Sequence, residues 1–450
     1  MAIQTVVASG RLAEEVAVSH EKTVSLQTVG CRLNQYETEK MGVALFPYGF
    51  RRALPGEPAD LYIINTCTVT HRADSTSRYL VKKAARENPN ARIVVAGCYV
   101  DSDAATVEGL EAVDLIVPNR DKLRLTEILA EKLSDLFGEE VTGEAPVSST
   151  LFERFNRSWL KISDGCNQRC AFCILPTVRG PLRNRPVNEL LEEIRGIQRL
   201  GFEEVVLTGV NIGHYKNRKS EPQVKNLAHL CRIILAETDL PRIRLSSIEP
   251  QTVRDELLQV CADSKGRICR HMHMPLQSGS TRLLRLMRRP YDRDIYMKRV
   301  ADARKAQPNT IVGADVIVGF PGETEDDFEL TCEIARSGLL DYLHVFSYSD
   351  REGTQSSGLG EKVNPEVIKE RNAVLSTISD ERLAEAHEHQ IGETLPVISE
   401  HVKPGRDALY GIADNYVKVK LPTDFDGRRH ICQVRIDRAT PDYVEGEIVS

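Results

Sequence analysis

The sequence has no long apolar segment and little net charge. Nowhere in its 450 residues does an apolar run reach the ~18 residues that a membrane span requires. The N-terminal residues are interrupted by Arg11, Glu14 and Glu15 and lack the apolar core of a signal peptide. A formal net charge of −6 does not indicate a nucleic-acid partner, so any RNA-binding surface must be a local patch. We therefore expect a cytoplasmic protein with no membrane partner.

Cysteine, in contrast, is plentiful. Because cytoplasmic proteins rarely carry disulfides, the 11 cysteines are better explained by metal binding or redox chemistry. Cys166, Cys170 and Cys173 follow the segment SWLKIS in a C-x3-C-x2-C spacing. Such a set can hold three irons of a cubane iron–sulfur cluster and leave one iron open to another ligand. A zinc site is the alternative, but zinc usually takes four ligands, and no fourth Cys or His follows nearby.

A second set of three cysteines is predicted at the edge of a parallel sheet. Strand and helix patterns alternate from Thr23 to Leu136, which is typical of a parallel α/β domain. Cys31, Cys67 and Cys98 each follow a predicted strand, at the sheet edge where ligands bind. We expect a second cluster there, again with an open iron. The alternative is three buried thiols that act as small apolar side chains.

The remaining chain is predicted to form two more domains. Residues 139–150 lack large apolar side chains and are predicted to be a linker. Six strand patterns then alternate with helices, too few for a closed eightfold barrel, which predicts an open six-stranded (β/α)6 barrel. Short β patterns after Glu393 predict a small all-β barrel. We place the three domains at 22–137, 152–384 and 387–450.

The first cysteine motif resembles the signature of the radical S-adenosylmethionine (SAM) superfamily, in which an aromatic residue, here Phe172, precedes the third cysteine. The resemblance implies a 4Fe-4S cluster on the catalytic residues Cys166, Cys170 and Cys173, with SAM on its open iron. It also implies that the cluster donates an electron, splits SAM and releases a 5′-deoxyadenosyl radical. Positions matched by motif at or near strand ends imply further SAM contacts: Gly209, Asn211, Glu249, Gln277, Asp315 and Gly319.

Two of these matched residues have simpler explanations. Glu249 could be a carboxylate favoured by the start of the following helix. Gly319 could serve only the turn before Pro321. The position at the barrel rim favours the SAM interpretation for both.

The whole chain resembles the methylthiotransferase family, which joins a three-cysteine α/β domain, a radical SAM barrel and a C-terminal barrel of the TRAM type. The resemblance implies two 4Fe-4S clusters, the second on Cys31, Cys67 and Cys98. Three segments resemble the branch that acts on N6-threonylcarbamoyladenosine at tRNA position 37: TVGCRLNQYETE, INTCTVTHRADSTSR and LTGVNIGHY. The alternatives are the branches that act on isopentenyladenosine-37 or on an aspartate of a ribosomal protein. The isopentenyladenosine branch typically has Met-Asn-Glu-Tyr after its first cysteine, where this chain has Arg-Leu-Asn-Gln-Tyr.

The resemblance also implies three partners: the tRNA anticodon stem-loop, an external one-electron donor and a sulfur donor. We expect phosphate contacts from four basic residues, two beside the cluster loop and two alternating on one strand: Arg179, Arg183, Lys418 and Lys420. Tyr410 and Tyr416 are available to stack on bases. Removing the residues after Gln390 should weaken tRNA binding and spare SAM cleavage. An RNA-binding or redox-sensing iron–sulfur protein is the non-enzymatic alternative, but open irons argue against a simple electron carrier.

Overall fold

The computed structural model describes residues 22–137, 155–217, 221, 223–400 and 408–449. The predicted linker and the N-terminal segment lie outside the described residues. No helix in the described part of the chain is long and apolar enough to cross a membrane.

An all-parallel sheet with the strand order β2-β1-β3-β4-β5 forms the first part of the chain. Its strands are β1 (Lys22–Thr28), β2 (Phe50–Arg52), β3 (Leu61–Thr66), β4 (Arg92–Gly97) and β5 (Leu115–Val117). The helices are α1 (Arg32–Val43), α2 (His71–Glu87), α3 (Cys98–Ser102), α4 (Ala104–Glu108) and α5 (Leu125–Lys132). Every residue of β3 is buried, as expected for a central strand covered on both faces. The edge strand β2 was not predicted because three residues are too few to show a period.

Six parallel strands form an open barrel, which confirms the predicted fold class. The strands β6-β9-β10 and β11-β12-β13 make two sheets. The sheets meet where the Ile243 amide donates to the Arg267 carbonyl at 2.7 Å and the Cys269 amide donates to the Ile243 carbonyl at 2.9 Å. The six barrel strands are β6 (Ser158–Lys161), β9 (Glu204–Thr208), β10 (Arg242–Leu245), β11 (His271–His273), β12 (Ile311–Val318) and β13 (Tyr342–Ser347). The short strands β7 (Ser163–Asp164) and β8 (Arg183–Asn184) form a separate antiparallel pair.

Eight α-helices are described in this part of the chain. They are α6 (Leu175–Arg179), α7 (Val187–Arg199), α8 (Leu227–Glu237), α9 (Asp255–Asp263), α10 (Thr281–Leu286), α11 (Arg293–Ala306), α12 (Glu325–Arg336) and α13 (Pro365–Glu388). In α7, Val187, Leu190, Ile194 and Ile197 recur at helical spacing and are all buried against the sheet. A capping box between Thr324 and Asp327 begins α12.

A closed barrel with the order β14-β15-β16-β18-β17 ends the chain, as predicted. Its strands are β14 (Thr394–Ser399), β15 (Leu409–Ala413), β16 (Lys418–Leu421), β17 (Ile431–Ala439) and β18 (Val444–Ile448). It packs on the amino ends of β9 and β10. There the buried Arg242 donates to the Pro396 carbonyl at 2.8 Å, and the buried Arg244 donates to the Ala413 carbonyl at 2.9 Å.

This packing changes the expectation for a truncated chain. Glu204 pairs with both buried arginines, and the C-terminal barrel accepts their remaining N–H groups. Truncation after Gln390 would leave buried charged donors without acceptors, which is costly. The C-terminal barrel is therefore not a removable module, and point variants are the appropriate test of its role.

Candidate active site

Three strand ends bring Cys31, Cys67 and Cys98 to one edge of the first sheet. The strands β1, β3 and β4 are neighbours, with Thr66 opposite Gly97. Cys67 and Cys98, which follow these residues, are buried, whereas Cys31 at the start of α1 is exposed. The turn before Cys31 needs glycine, because Gly30 has a φ of +103° and an added Cβ would lie 2.6 Å from the Cβ of Cys67.

The other three cysteines, Cys166, Cys170 and Cys173, lie in a tight loop at the carboxyl end of β6, which we call the cluster loop. The short strands β7 and β8 pair across the base of the loop, and the Cys166 amide donates to the Gly180 carbonyl at 3.1 Å. Neither strand was predicted, since each has only two residues. Phe172 is partly buried and packs on an apolar cluster that includes Leu283, Met287 and Phe320. This packing anchors the middle of the loop to the barrel.

The two cysteine sets lie next to each other. Cys98 packs in one apolar cluster with Ile174 and Val178, which belong to the cluster loop and α6. Asn119 also donates to the Val178 carbonyl at 3.4 Å. Ile174 directly follows Cys173, so this cluster places the two sets close together. Sequence analysis could not foresee this contact, which joins residues far apart in the chain.

A buried charge cluster holds the two sets in place. The Glu37 carboxylate accepts from Lys161 at 2.7 Å and from Arg179 at 3.1 Å, and it pairs with Lys122 at 2.5 Å. Arg179 also contacts Asp164 at 3.0 Å. Burial alone would raise the pKa of the Glu37 carboxyl, but the three cations hold that pKa well below its usual value. Glu37 is thus an anion at neutral pH.

This arrangement corrects the expected role of Arg179. Its side chain is only 2% exposed and donates to Glu37, Asp164 and Asn34. A guanidinium enclosed in this way has no free face for a tRNA phosphate, so Arg179 joins α1 to the cluster loop instead. Arg183, also predicted, is 54% exposed and remains accessible beside the loop.

Burial makes the thiols poor acids without a metal. It raises the pKa of Cys67 to about 11 and that of Cys173 to about 12, and the pKa values of Cys98 and Cys170 are raised for the same reason. Metal ligands must be thiolates, so nearby cations favour cluster binding. Arg179 and Lys122 counteract the shift at Cys98.

At the cluster loop, the cation that counteracts the effect of burial on a thiol is Arg289. It is buried, and its Nη1 donates to the Cys170 sulfur at 3.0 Å while Nη2 pairs with Glu249. It lowers the pKa of the Cys170 thiol relative to burial alone. In the sequence it is one of several nearby arginines, and no local signal distinguishes it from them.

Four polar side-chain atoms at successive strand ends form a cradle. Ser163, Asn211, Ser246 and Gln277 follow β6, β9, β10 and β11, and each has one buried oxygen without a hydrogen-bond partner among the described residues. Buried polar atoms are almost always paired, so these oxygens fit a polar ligand at the barrel mouth. Such a donor and acceptor set suits SAM. Ser163 and Ser246 were not predicted, because isolated serines carry no motif.

The other predicted SAM residues have clear positions. Gly209 lies close to the cradle, where an added Cβ would be 2.5 Å from the Ser163 hydroxyl oxygen. Asp315 on β12 accepts from His273 Nε2 at 2.9 Å. Gly319 has a φ of +78°, and an added Cβ would lie 2.3 Å from Ile368 on α13. Gly319 therefore has a packing role that requires no ligand.

The predicted basic residues of the C-terminal barrel share one outer face. Lys418 lies 4.0 Å above the ring centre of Tyr410, and Lys420 lies 5.7 Å above that of Tyr443. Both lysines are partly exposed. Tyr416 differs from the prediction, because it stacks on His271 of β11, with ring centres 4.4 Å apart. It is thus not part of the outer face.

The architecture is that of a radical SAM barrel, which carries Cys166, Cys170 and Cys173, joined to an α/β domain with three further cysteines. Comparison with known proteins supports this description. Residues 160–335 match the radical SAM superfamily, and residues 23–118 match a family described as "Uncharacterized protein family UPF0004". The solved radical SAM methyltransferase TsrM of Kitasatospora setae has a similar fold, with a TM-score of 0.52 and 14% identity over 85% of this chain and 78% of that one.

Curated relatives match nearly the whole chain. Threonylcarbamoyladenosine tRNA methylthiotransferase MtaB of Bacillus subtilis is 34% identical over 95% of this chain and 96% of its own length. The tRNA-2-methylthio-N(6)-dimethylallyladenosine synthase of Bacillus licheniformis is 31% identical over 94% of this chain and 85% of its own. The chain belongs to the radical SAM methylthiotransferase family. Its cofactors are accordingly SAM and 4Fe-4S clusters.

Proposed function

We propose that this protein methylthiolates carbon 2 of N6-threonylcarbamoyladenosine at position 37 of tRNA. The observation that carries the proposal is the apolar cluster that Cys98 shares with Ile174 and Val178, which sets the two three-cysteine sets side by side. If one set binds SAM and the other handles sulfur, both sets must lie close to the same base. The relatives named for threonylcarbamoyladenosine, at 34% identity, support this substrate.

In this proposal each cysteine set holds one 4Fe-4S cluster, on Cys31, Cys67 and Cys98 and on Cys166, Cys170 and Cys173. When bound, the clusters and SAM supply radical generation, sulfur and the methyl group. Asn211 and Gln277, together with Ser163 and Ser246, offer hydrogen-bonding atoms to SAM at the barrel mouth. Phe172 and Gly209 shape the wall beside it. Glu249 follows β10, and Asp315 within β12 accepts from the Gln277 amide through its carbonyl at 2.8 Å.

The chain's own residues orient the reaction. Arg289 donates to Cys170, and Arg179 and Lys122 lie beside Cys98, so each set has a fixed cation that favours the thiolate form. Glu37 holds Lys122 and Arg179 in place, and Glu249 pairs with Arg289. We assign these residues positioning roles, since they act through the cysteines.

We propose three domains, at 22–137, 152–384 and 387–450, with the last two joined through Arg242 and Arg244. The anticodon stem-loop would lie across the barrel mouth, where Arg183 is exposed. Lys418 and Lys420, on the outer face of the C-terminal barrel, would contact phosphates in another part of the tRNA backbone. The reaction requires reducing equivalents and sulfur, so an external one-electron donor and a sulfur donor complete the system.

The test is to offer reconstituted protein three substrates in parallel. These are tRNA with threonylcarbamoyladenosine, tRNA with isopentenyladenosine and the ribosomal protein. Mass spectrometry of nucleosides and peptides should find methylthiolation of the first alone. Modification of the ribosomal protein alone would overturn the tRNA assignment.

A second candidate substrate is isopentenyladenosine-37. The relatives named for dimethylallyladenosine, at 31% identity over most of the chain, favour it. Nucleoside analysis of tRNA from cells with and without the gene separates the two, because the methylthiolated products differ in mass.

A further inference from the structure

Arg32 lies between the set of Cys31, Cys67 and Cys98 and the C-terminal barrel. It directly follows Cys31 as the first residue of α1. Its Nη2 donates to the hydroxyl of Tyr416, and the guanidinium carbon lies 5.5 Å from the centre of the Tyr416 ring. Tyr416 stacks in turn on His271 of β11. Three parts of the fold therefore meet at this guanidinium.

Arg32 carries a positive charge beside Cys31. Among the described residues, no carboxylate forms an ion pair with it. The enclosed arginines nearby are paired, Arg179 with Glu37, Arg244 with Glu204 and Arg289 with Glu249. Arg32 is only partly buried, so a ligand can reach it. A cation in this position is suited to bind an anion.

The surroundings of Arg32 also hold an unused polar atom. His271 is buried, its Nε2 contacts the Tyr342 hydroxyl at 2.9 Å, and its Nδ1 has no partner among the described residues. Arg32 and Arg244 lower the pKa of His271, but burial is the first cause, so the ring is neutral. A hydroxyl or N–H of a bound group could pair with Nδ1.

We propose that Arg32 binds the carboxylate of the threonylcarbamoyl group and thereby selects the modified base. The inference rests on the proposed function. In adenine only N1 separates C2 from C6, which carries N6, so a base with C2 at the set of Cys31, Cys67 and Cys98 presents its N6 group to the residue next to Cys31. A guanidinium pairs with a carboxylate through two parallel hydrogen bonds. A dimethylallyl group has no such acceptor and would leave the charge unpaired, which penalises the wrong substrate.

The experiment measures binding as well as turnover. Fluorescence anisotropy compares the reconstituted holoenzyme on two anticodon stem-loops, one with threonylcarbamoyladenosine and one with its methyl ester, which lacks the negative charge. We expect the wild type to bind the free acid at least about tenfold more tightly. In Arg32→Met this ratio should fall to about one, and Arg32→Lys should retain part of it.

Arg183→Met is the matched control, because it removes an exposed arginine at the barrel mouth. It should weaken both stem-loops equally and keep their ratio. Iron content and SAM cleavage without tRNA check that each variant is folded. An unchanged ratio in Arg32→Met would overturn the inference while the proposed function stands. Failure of the wild type to modify threonylcarbamoyladenosine would instead overturn the proposed function.

Discussion

Glu37 on α1 and Arg179 at the end of the cluster loop form a buried ion pair across 142 residues of sequence. Each residue lies close in sequence to one cysteine set, since α1 begins directly after Cys31 and the loop before Arg179 contains Cys166, Cys170 and Cys173. The pair therefore fixes the position of one cysteine set relative to the other. Ion pairs this deep contribute less to stability than to a unique geometry, because desolvation offsets much of their attraction.

Replacing Glu37 with Gln should strongly destabilise the protein. The amide preserves shape but leaves Lys122, Lys161 and Arg179 without their shared anion, which costs about 3–5 kcal/mol for a broken buried pair. Urea unfolding of the reconstituted protein measures this change. Glu329→Gln, which removes an exposed partner of Arg336, is the control and should remain close to wild type. Equal stability of the two variants would contradict the buried-pair interpretation.

The same carboxylate predicts a loss of stability in acid. Because the folded pKa of Glu37 is lowered from 4.5, its contribution is complete above about pH 4.5 and is lost as the pH falls below that value. The free energy of unfolding, measured from neutral pH downward, should therefore fall more steeply in the wild type than in Glu37→Gln. Parallel curves would show that Glu37 is not held as an anion.

Removing one cysteine from each set should separate the two clusters. Cys67→Ala and Cys166→Ala should each lose about four irons, since each set holds one cluster. Only Cys166→Ala should lose SAM cleavage, whereas both should lose methylthiolation. Iron analysis and product chromatography check this, with Cys432→Ala in the C-terminal barrel as the control. Full methylthiolation by Cys67→Ala would contradict the second cluster.

Arg289→Met should make the barrel cluster harder to reduce. The variant removes a cation and an N–H that donates to Cys170 at 3.0 Å, and both favour the reduced, more negative cluster. One charge-assisted hydrogen bond corresponds to a shift on the order of 60 mV toward negative potential. A redox titration followed by electron paramagnetic resonance measures it. Arg282→Met, which removes an exposed partner of Asp327, should leave the potential in place.

Replacing both Lys418 and Lys420 with Ala should weaken tRNA binding without changing SAM cleavage. Each lost phosphate contact should lower the salt dependence of the binding constant by about one unit of slope. Filter binding over a range of salt concentrations measures this effect. Lys369→Ala on the exposed face of α13 is the control. An unchanged slope in the double variant would remove this face from the tRNA site.

The three parts of the fold and the two cysteine sets could be predicted from the sequence. Strand and helix periods and the spacing of Cys166, Cys170 and Cys173 are local properties, readable within one segment. The edge strand β2 and the short strands β7 and β8 were missed because two or three residues show no period.

Which side chains contact each other could be seen only in the folded structure. Arg179 and Arg183 look equivalent in the sequence, yet Arg179 is buried against Glu37 and Arg183 is exposed. Tyr416 stacks inside the barrel on His271, whereas Tyr410 remains on the outer face under Lys418. Burial and pairing depend on residues from distant segments, and these contacts form only when the packed elements bring the segments together.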